Sequence, residues 1–264
     1  MTSNHLSHLL LKISTGLGLC FTTLVALPEM TWAATCNDNP SSLSTSCTKT
    51  PERYVITVYE MGLCKSDPLS GTDFNGSSCS ATLTSTDGIS VDIAGNTATL
   101  SGGTDVRPAS AAYEYAYIKM SNSFGLRGSY QLNDTTYYST SSGGASSSGS
   151  STNFTSTLYD FDGGGTCTGS PSYSTSESLS GGVMKARIAT GSYVTSTSCG
   201  SSTRVVGSFK PTDTTLLTIT DSTKGLEVQF TTTGISLTVI PDSDTGSTVS
   251  SFDGGPFQPQ FDKY

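Results

Sequence analysis

The side chains best suited to acid–base or metal chemistry are few and unevenly placed in this 264-residue chain. Both histidines, His5 and His8, sit at the N-terminus. Carboxylates recur at alternate positions in Asp160-Phe-Asp162 and Asp242-Ser-Asp244, each shortly before a glycine. Such spacing can wrap a hard cation, and Asp253, eleven residues after Asp242, brings the second group to the span of a calcium loop. The fit is incomplete, because Gly246 comes one position early and no helical pattern flanks it. Acidic turns are therefore the main expectation at Asp160, Asp162, Asp242, Asp244 and Asp253, and calcium at these residues is the rival one. The tetrapeptide Phe-Asp-Gly-Gly, present at 161–164 and at 252–255, reads the same way: Asp before Gly favours a turn.

Seven cysteines are present, and the position of the first depends on how the chain begins. Residues 1–33 have the zones of a secretion signal: a polar start with Lys12, an apolar run from Ile13 to Leu27, then Pro28. Small residues at Thr31 and Ala33 predict cleavage after Ala33. The run is roughly fifteen residues, short of the roughly 20 that a membrane-spanning helix needs. Cleavage would remove His5, His8, Trp32 and Cys20, so the mature chain would hold no imidazole. That excludes a Ser-His-Asp or Cys-His triad and any histidine-based zinc or copper site. Cys36, Cys47, Cys64, Cys79, Cys167 and Cys199 would remain, an even number suited to disulfides in an oxidising compartment. The count leaves connectivity open. Neighbour pairing (Cys36 with Cys47, Cys64 with Cys79, Cys167 with Cys199) is the expectation, since each bridge would restrain a loop poor in apolar anchors.

Charge narrows the partners. Lys and Arg number 13 against 21 Asp and Glu, a net charge of −8, which argues against a nucleic-acid partner. No Asp or Glu pair stands in a recognisable glycosidase setting, and a carboxylate hydrolase is only a minor alternative to a non-enzymatic role.

The elements that must position these residues are strands. Arg53–Leu63 (RYVITVYEMGL) is β-branched and aromatic with apolar residues on both faces, as in a central strand. Alternation aligns Ile89, Val91 and Ile93, and places Tyr113, Tyr115 and Tyr117 opposite Ala116, Ile118 and Met120. Those three tyrosines could present an exposed strip that stacks on sugar rings, or could pack between strands as core. Met184, Ala186 and Ile188 align against Val183, Lys185 and Arg187, and 216–230 reads as a hairpin. No stretch has helical periodicity. The expected fold is all-β: a disulfide-stapled antiparallel β-sandwich with long Ser/Gly-rich loops, one domain over 34–264. Residues 139–152 (STSSGGASSSGSST) offer no core-forming side chain and are expected to be flexible. Residues 252–264 read as an extended tail whose Phe257, Phe261 and Tyr264 could dock on a neighbouring molecule.

The stretches YVITVYEMGLCKS, YEYAYIKMSNSFGLRGSY and GLEVQF…ISLTVIP resemble a loose group of secreted, uncharacterised bacterial β-sandwich proteins. The resemblance implies a prealbumin-like or immunoglobulin-like sandwich and carries over no active site.

These readings converge on a secreted, non-enzymatic structural protein at the cell surface or outside the cell, with the periplasm satisfying the same observations. It would be a filament or pilus-like subunit assembling with itself or other surface proteins through strand or tail exchange. The alternative is an adhesin-like module binding glycans or calcium. No cofactor other than calcium is implied, and no membrane span would remain after signal removal.

Overall fold

β-branched and aromatic residues, alternating with Ser, Thr and charged residues, suit a half-buried pleated surface and leave helix little support. In the computed structural model, which describes residues 34–94, 100–162, 167, 170–179, 181–255 and 257–263, the regular secondary structure is almost all antiparallel strand. The strands in chain order are β1 (Cys47–Lys49), β2 (Arg53–Cys64), β3 (Cys79–Asp92), β4 (Thr104–Asp105), β5 (Ala111–Ala112), β6 (Tyr115–Ser121), β7 (Ser123–Arg127), β8 (Ser129–Leu132), β9 (Thr135–Ser139) and β10 (Ala145–Ser146). They continue with β11 (Phe154–Thr157), β12 (Ser174–Leu179), β13 (Gly182–Ala189), β14 (Arg204–Pro211), β15 (Thr218–Ile219), β16 (Leu226–Thr231), β17 (Leu237–Pro241), β18 (Val249–Gly254) and β19 (Gln258–Lys263).

A nine-stranded sheet dominates. In it β2 lies between β3 and the consecutive strands β6 and β7. Beyond β6 come β14, β13 and β12, while β11 continues beyond β7. A smaller sheet, β1-β17-β18, faces the large one. Leu237, Val239 and Phe252 from the small sheet share a core with Tyr54, Ile56, Met120 and Leu126 from the large one. The layers meet closely at Gly128, where a Cβ would lie 2.2 Å from a Leu237 methyl, so a side chain there would displace the opposite sheet. This is a disulfide-bonded β-sandwich.

β2 departs from its sequence pattern for a physical reason. Tyr54, Ile56 and Val58 point into the core, and so do Met61 and Leu63. The change of parity comes from a bulge: Val58 pairs with Met120 and Glu60 with Lys119, leaving Tyr59 as the extra residue. What looked like a strand apolar on both faces is one core-facing row shifted by one residue.

Two expected flexible segments are folded against their own sandwich. In 139–152, Ser139 is buried, its hydroxyl donates to the Thr152 carbonyl (2.8 Å), and Thr152 N–H donates back to the Ser139 carbonyl. β10 pairs with β9, and the Gly143 carbonyl accepts from Phe252 N–H at 2.7 Å. Hydroxyls and main chain thus replace the missing apolar anchors, and the hairpin caps the outer edge of β18. The tail is likewise docked. Residues 252–254 complete β18, Phe257 packs at 5.3 Å from Phe230 and 5.7 Å from Tyr54 (ring centroids), and β19 pairs with β16. Phe261 stands opposite Val228 in that pairing, and Tyr264 lies outside the described residues.

Cys36–Cys47 and Cys64–Cys79 pair as neighbours in sequence, and Cys167 is bonded to Cys199. Among the described residues no helix is long and apolar enough to cross a membrane. The leader read from residues 1–33 lies outside the described residues.

Candidate functional site

Among the described residues, charged and aromatic side chains gather on the face of the large sheet away from the core. Strand register places it. Lys119 on β6 is opposite Val206 on β14, which is opposite Arg187 on β13. Along the same face run Lys185, Arg204 and Lys210, so five of the chain's 13 cations share one face of three adjacent strands. Alternation makes this segregation unavoidable, because Met184, Ala186 and Ile188 must face the core.

The loop between Cys64 and Cys79 lies over this face like a strap. Its ends are opposed residues of β2 and β3, joined by the disulfide. Lys185 Nζ meets Asp67 at 2.5 Å, and Arg187 donates to the carbonyls of Leu69 and Gly71. Thr195 N–H donates to Asp73 at 2.9 Å. Beneath the strap Leu69, Ala189 and Val206 form a small core with Phe74 and Tyr193.

At its centre Lys119, only 8% exposed, donates to Glu60 Oε1 at 3.0 Å and lies 4.4 Å from the Phe74 ring centroid and 4.5 Å from that of Tyr193. Tyr117 donates to the same carboxylate oxygen at 2.6 Å. A lysine boxed by rings and one carboxylate has both its charge and its stem satisfied. Tyr193 takes a positive φ of 63°, which costs roughly 1–2 kcal/mol for a non-glycine residue. Its contact with Lys119 offsets that cost. Arg204 stacks 4.0 Å from the Tyr59 ring, using the bulged residue of β2.

Burial, then the hydrogen bond and charge of Glu60, push the Tyr117 phenol well above its ordinary range. Burial, followed by the charge of Asp253, does the same for Tyr54. A raised folded-state pKa contributes stability that is fully present below the unfolded value, about 10, and is lost as pH climbs above it. Urea midpoints should therefore fall above about pH 10, and Tyr117→Phe should flatten part of that fall. An unchanged alkaline slope in the variant would show that Tyr117 does not contribute.

In this arrangement Glu60 accepts from two donors and Lys119 is enclosed, which is the geometry of a clamp. The strap residues were not legible as partners in sequence, although Lys119 stood in phase with Tyr115 and Tyr117 on a tyrosine-rich face.

The residues singled out from sequence are dispersed. Tyr113 is buried against Leu63, Leu217 and Ile219, with its hydroxyl on the Ala109 carbonyl, and Tyr117 lies under Phe74 at 5.2 Å between ring centroids. Tyr115 is half-buried beside Lys210. They do not form one exposed strip, because the strap covers one end and β15 the other. Asp160 is buried and accepts from the N–H groups of Asp162 and Ser172, while Asp162 is exposed. Asp242 accepts from Asp244 N–H at 2.9 Å in a turn. Asp253 is not in a turn but in β18, bonded to Ser156 and opposite Thr238. That position is four residues along β17 from Asp242, or about 13 Å at ~3.3 Å per residue. Among the described residues no three His, Cys, Asp or Glu side chains gather as metal ligands.

The strap, its clamp and the sandwich define a disulfide-bonded β-module whose charged groups bind its own loops. No family model matches the chain, and neither does any curated protein or solved structure.

Proposed function

We propose that this protein is a secreted, non-enzymatic structural module, a subunit of an extracellular or cell-surface assembly. The observation that carries the reading is the use made of its reactive side chains. Glu60, Lys119, Lys185, Asp67 and Arg187 close on a loop of the same chain, and Asp160 and Asp242 are held in turns. Three disulfides and a signal-like N-terminus support an oxidising destination. Tail exchange is the less favoured route of assembly, since β19 is already paired with β16 of its own chain. Strand addition at a free sheet edge is the favoured one.

Light scattering and negative-stain microscopy on the oxidised protein, with and without calcium, test the proposal. Regular assemblies are expected in both conditions. A monomer in both conditions would sink the proposal, and assembly only with calcium would favour the adhesin-like alternative.

A further inference from the structure

The sandwich treats its sheet edges unequally. The outer edge of β1 is covered by residues 34–36, through Cys36 N–H to the Thr48 carbonyl (2.8 Å) and Thr48 N–H to the Ala34 carbonyl (2.9 Å). The outer edge of β18 is covered by Gly143 and Gly144. At one side of the large sheet β4, two residues long and ending on the exposed Asp105, covers β3 only at Leu83 and Thr84. At the other side stands β12, six residues paired in unbroken register with β13 and, among the described residues, with no backbone partner beyond it. It carries no proline, lysine or bulge, the usual devices that block pairing.

The phase of its hydrogen bonds is determined. Ile188 N–H donates to the Tyr173 carbonyl (2.9 Å) and Thr212 N–H to the Gly181 carbonyl (2.9 Å), so the even residues of β13 bond towards β12. By register Thr175, Glu177 and Leu179 answer them. The N–H and C=O groups of Ser174, Ser176 and Ser178 therefore point away from β13, with the Ser174 carbonyl already accepting from the Ser172 hydroxyl at 3.1 Å.

We propose that a second copy of this chain occupies that edge, its β12 antiparallel to the first across a two-fold axis at Ser176. The charge pattern selects this register. With Ser176 on the axis, Ser174 meets Ser178 of the copy, and Glu177, the only charge on the strand, meets Thr175. An axis at Glu177 would oppose two carboxylates, which is unfavourable. A two-fold contact uses the same edge of both copies, so the addition closes as a pair and does not propagate. The proposal rests on the structural-subunit reading for its biological meaning and names one of its contacts.

The test uses Ser176→Cys in the oxidised protein, with Ser147→Cys, at another exposed position, as control. A disulfide between copies should form faster at position 176, because opposed residues of a hydrogen-bonded pair sit about 5.5 Å apart at Cα. Sedimentation of the natural protein should show a concentration-dependent dimer. Ser176→Pro, which removes only an outward N–H, should weaken it roughly tenfold or more. A natural protein that stays monomeric, or cross-linking at 176 no faster than at 147, would overturn the proposal. The two readings fail separately: filaments unaffected by Ser176→Pro would remove β12 as a contact and leave the subunit function. A β12 dimer with nothing larger would do the reverse.

Discussion

Replacing Asn122 with alanine is expected to cost roughly 2–6 kcal/mol of stability, about 1–3 kcal/mol for each of two carbonyls left unsatisfied. Asn122 sits at the break between β6 and β7, where the strands on their far side part: β14 begins at Arg204 and β11 ends at Thr157. Its amide donates to the Leu158 carbonyl at 3.0 Å and to the Ser202 carbonyl at 3.1 Å, one from each departing chain. Its own carbonyl accepts from Leu158 N–H at 2.8 Å. Asn122 is 3% exposed, so water cannot readily replace these bonds. Asn122→Asp keeps the volume but aims oxygen at both carbonyls and should destabilise at least as much. Urea unfolding of the two variants decides the matter, since a tolerated aspartate would show that shape, and not donation, is what the site requires.

Lys119→Met should lower stability by about 3 kcal/mol, towards the lower end of what breaking a buried ion pair costs. The side chain of Glu60 keeps 26% exposure, so water screens part of the orphaned charge. Methionine preserves contact with Phe74 and Tyr193, so the loss reports charge more than packing. Adding Glu60→Gln should recover a good part of it, because the double variant buries no unpaired charge. A double-mutant cycle by chemical denaturation measures the coupling. Near-neutral behaviour of Lys119→Met alone would mean the pair is solvated and the strap is held by Lys185, Arg187 and the disulfide.

These residues show how far sequence reasoning reached. Alternation revealed that Lys185 and Arg187 share one face and that Met184, Ala186 and Ile188 share the other, and the sandwich uses both assignments. It could not reveal that Asp67, Leu69 and Gly71, more than a hundred residues earlier, would meet those cations. Nothing local to Asn122 marks it, since its value depends on two strands diverging at that point. The stretch 139–152 misled in a particular way: composition registers the lack of apolar anchors but not the carbonyls that Ser139 and Thr152 find.

Sequence by itself determined the all-β class, because period-two patterning admits one buried face per strand and no helix. It left the cysteine pairing open; the structure joins Cys36 with Cys47 and Cys64 with Cys79, the neighbours that short loops bring together most readily. Tertiary structure alone decided the rest. A single bulge at Tyr59 chose which residues of β2 enter the core, and docking of Phe257 turned a loose tail into a paired strand. Capping of some edges, with β12 left without a backbone partner beyond β13 among the described residues, is likewise written in no local pattern. The physical reason is common to all three. Backbone hydrogen bonds and ring contacts are satisfied by whichever partner the whole fold brings within reach, and that partner is distant in sequence.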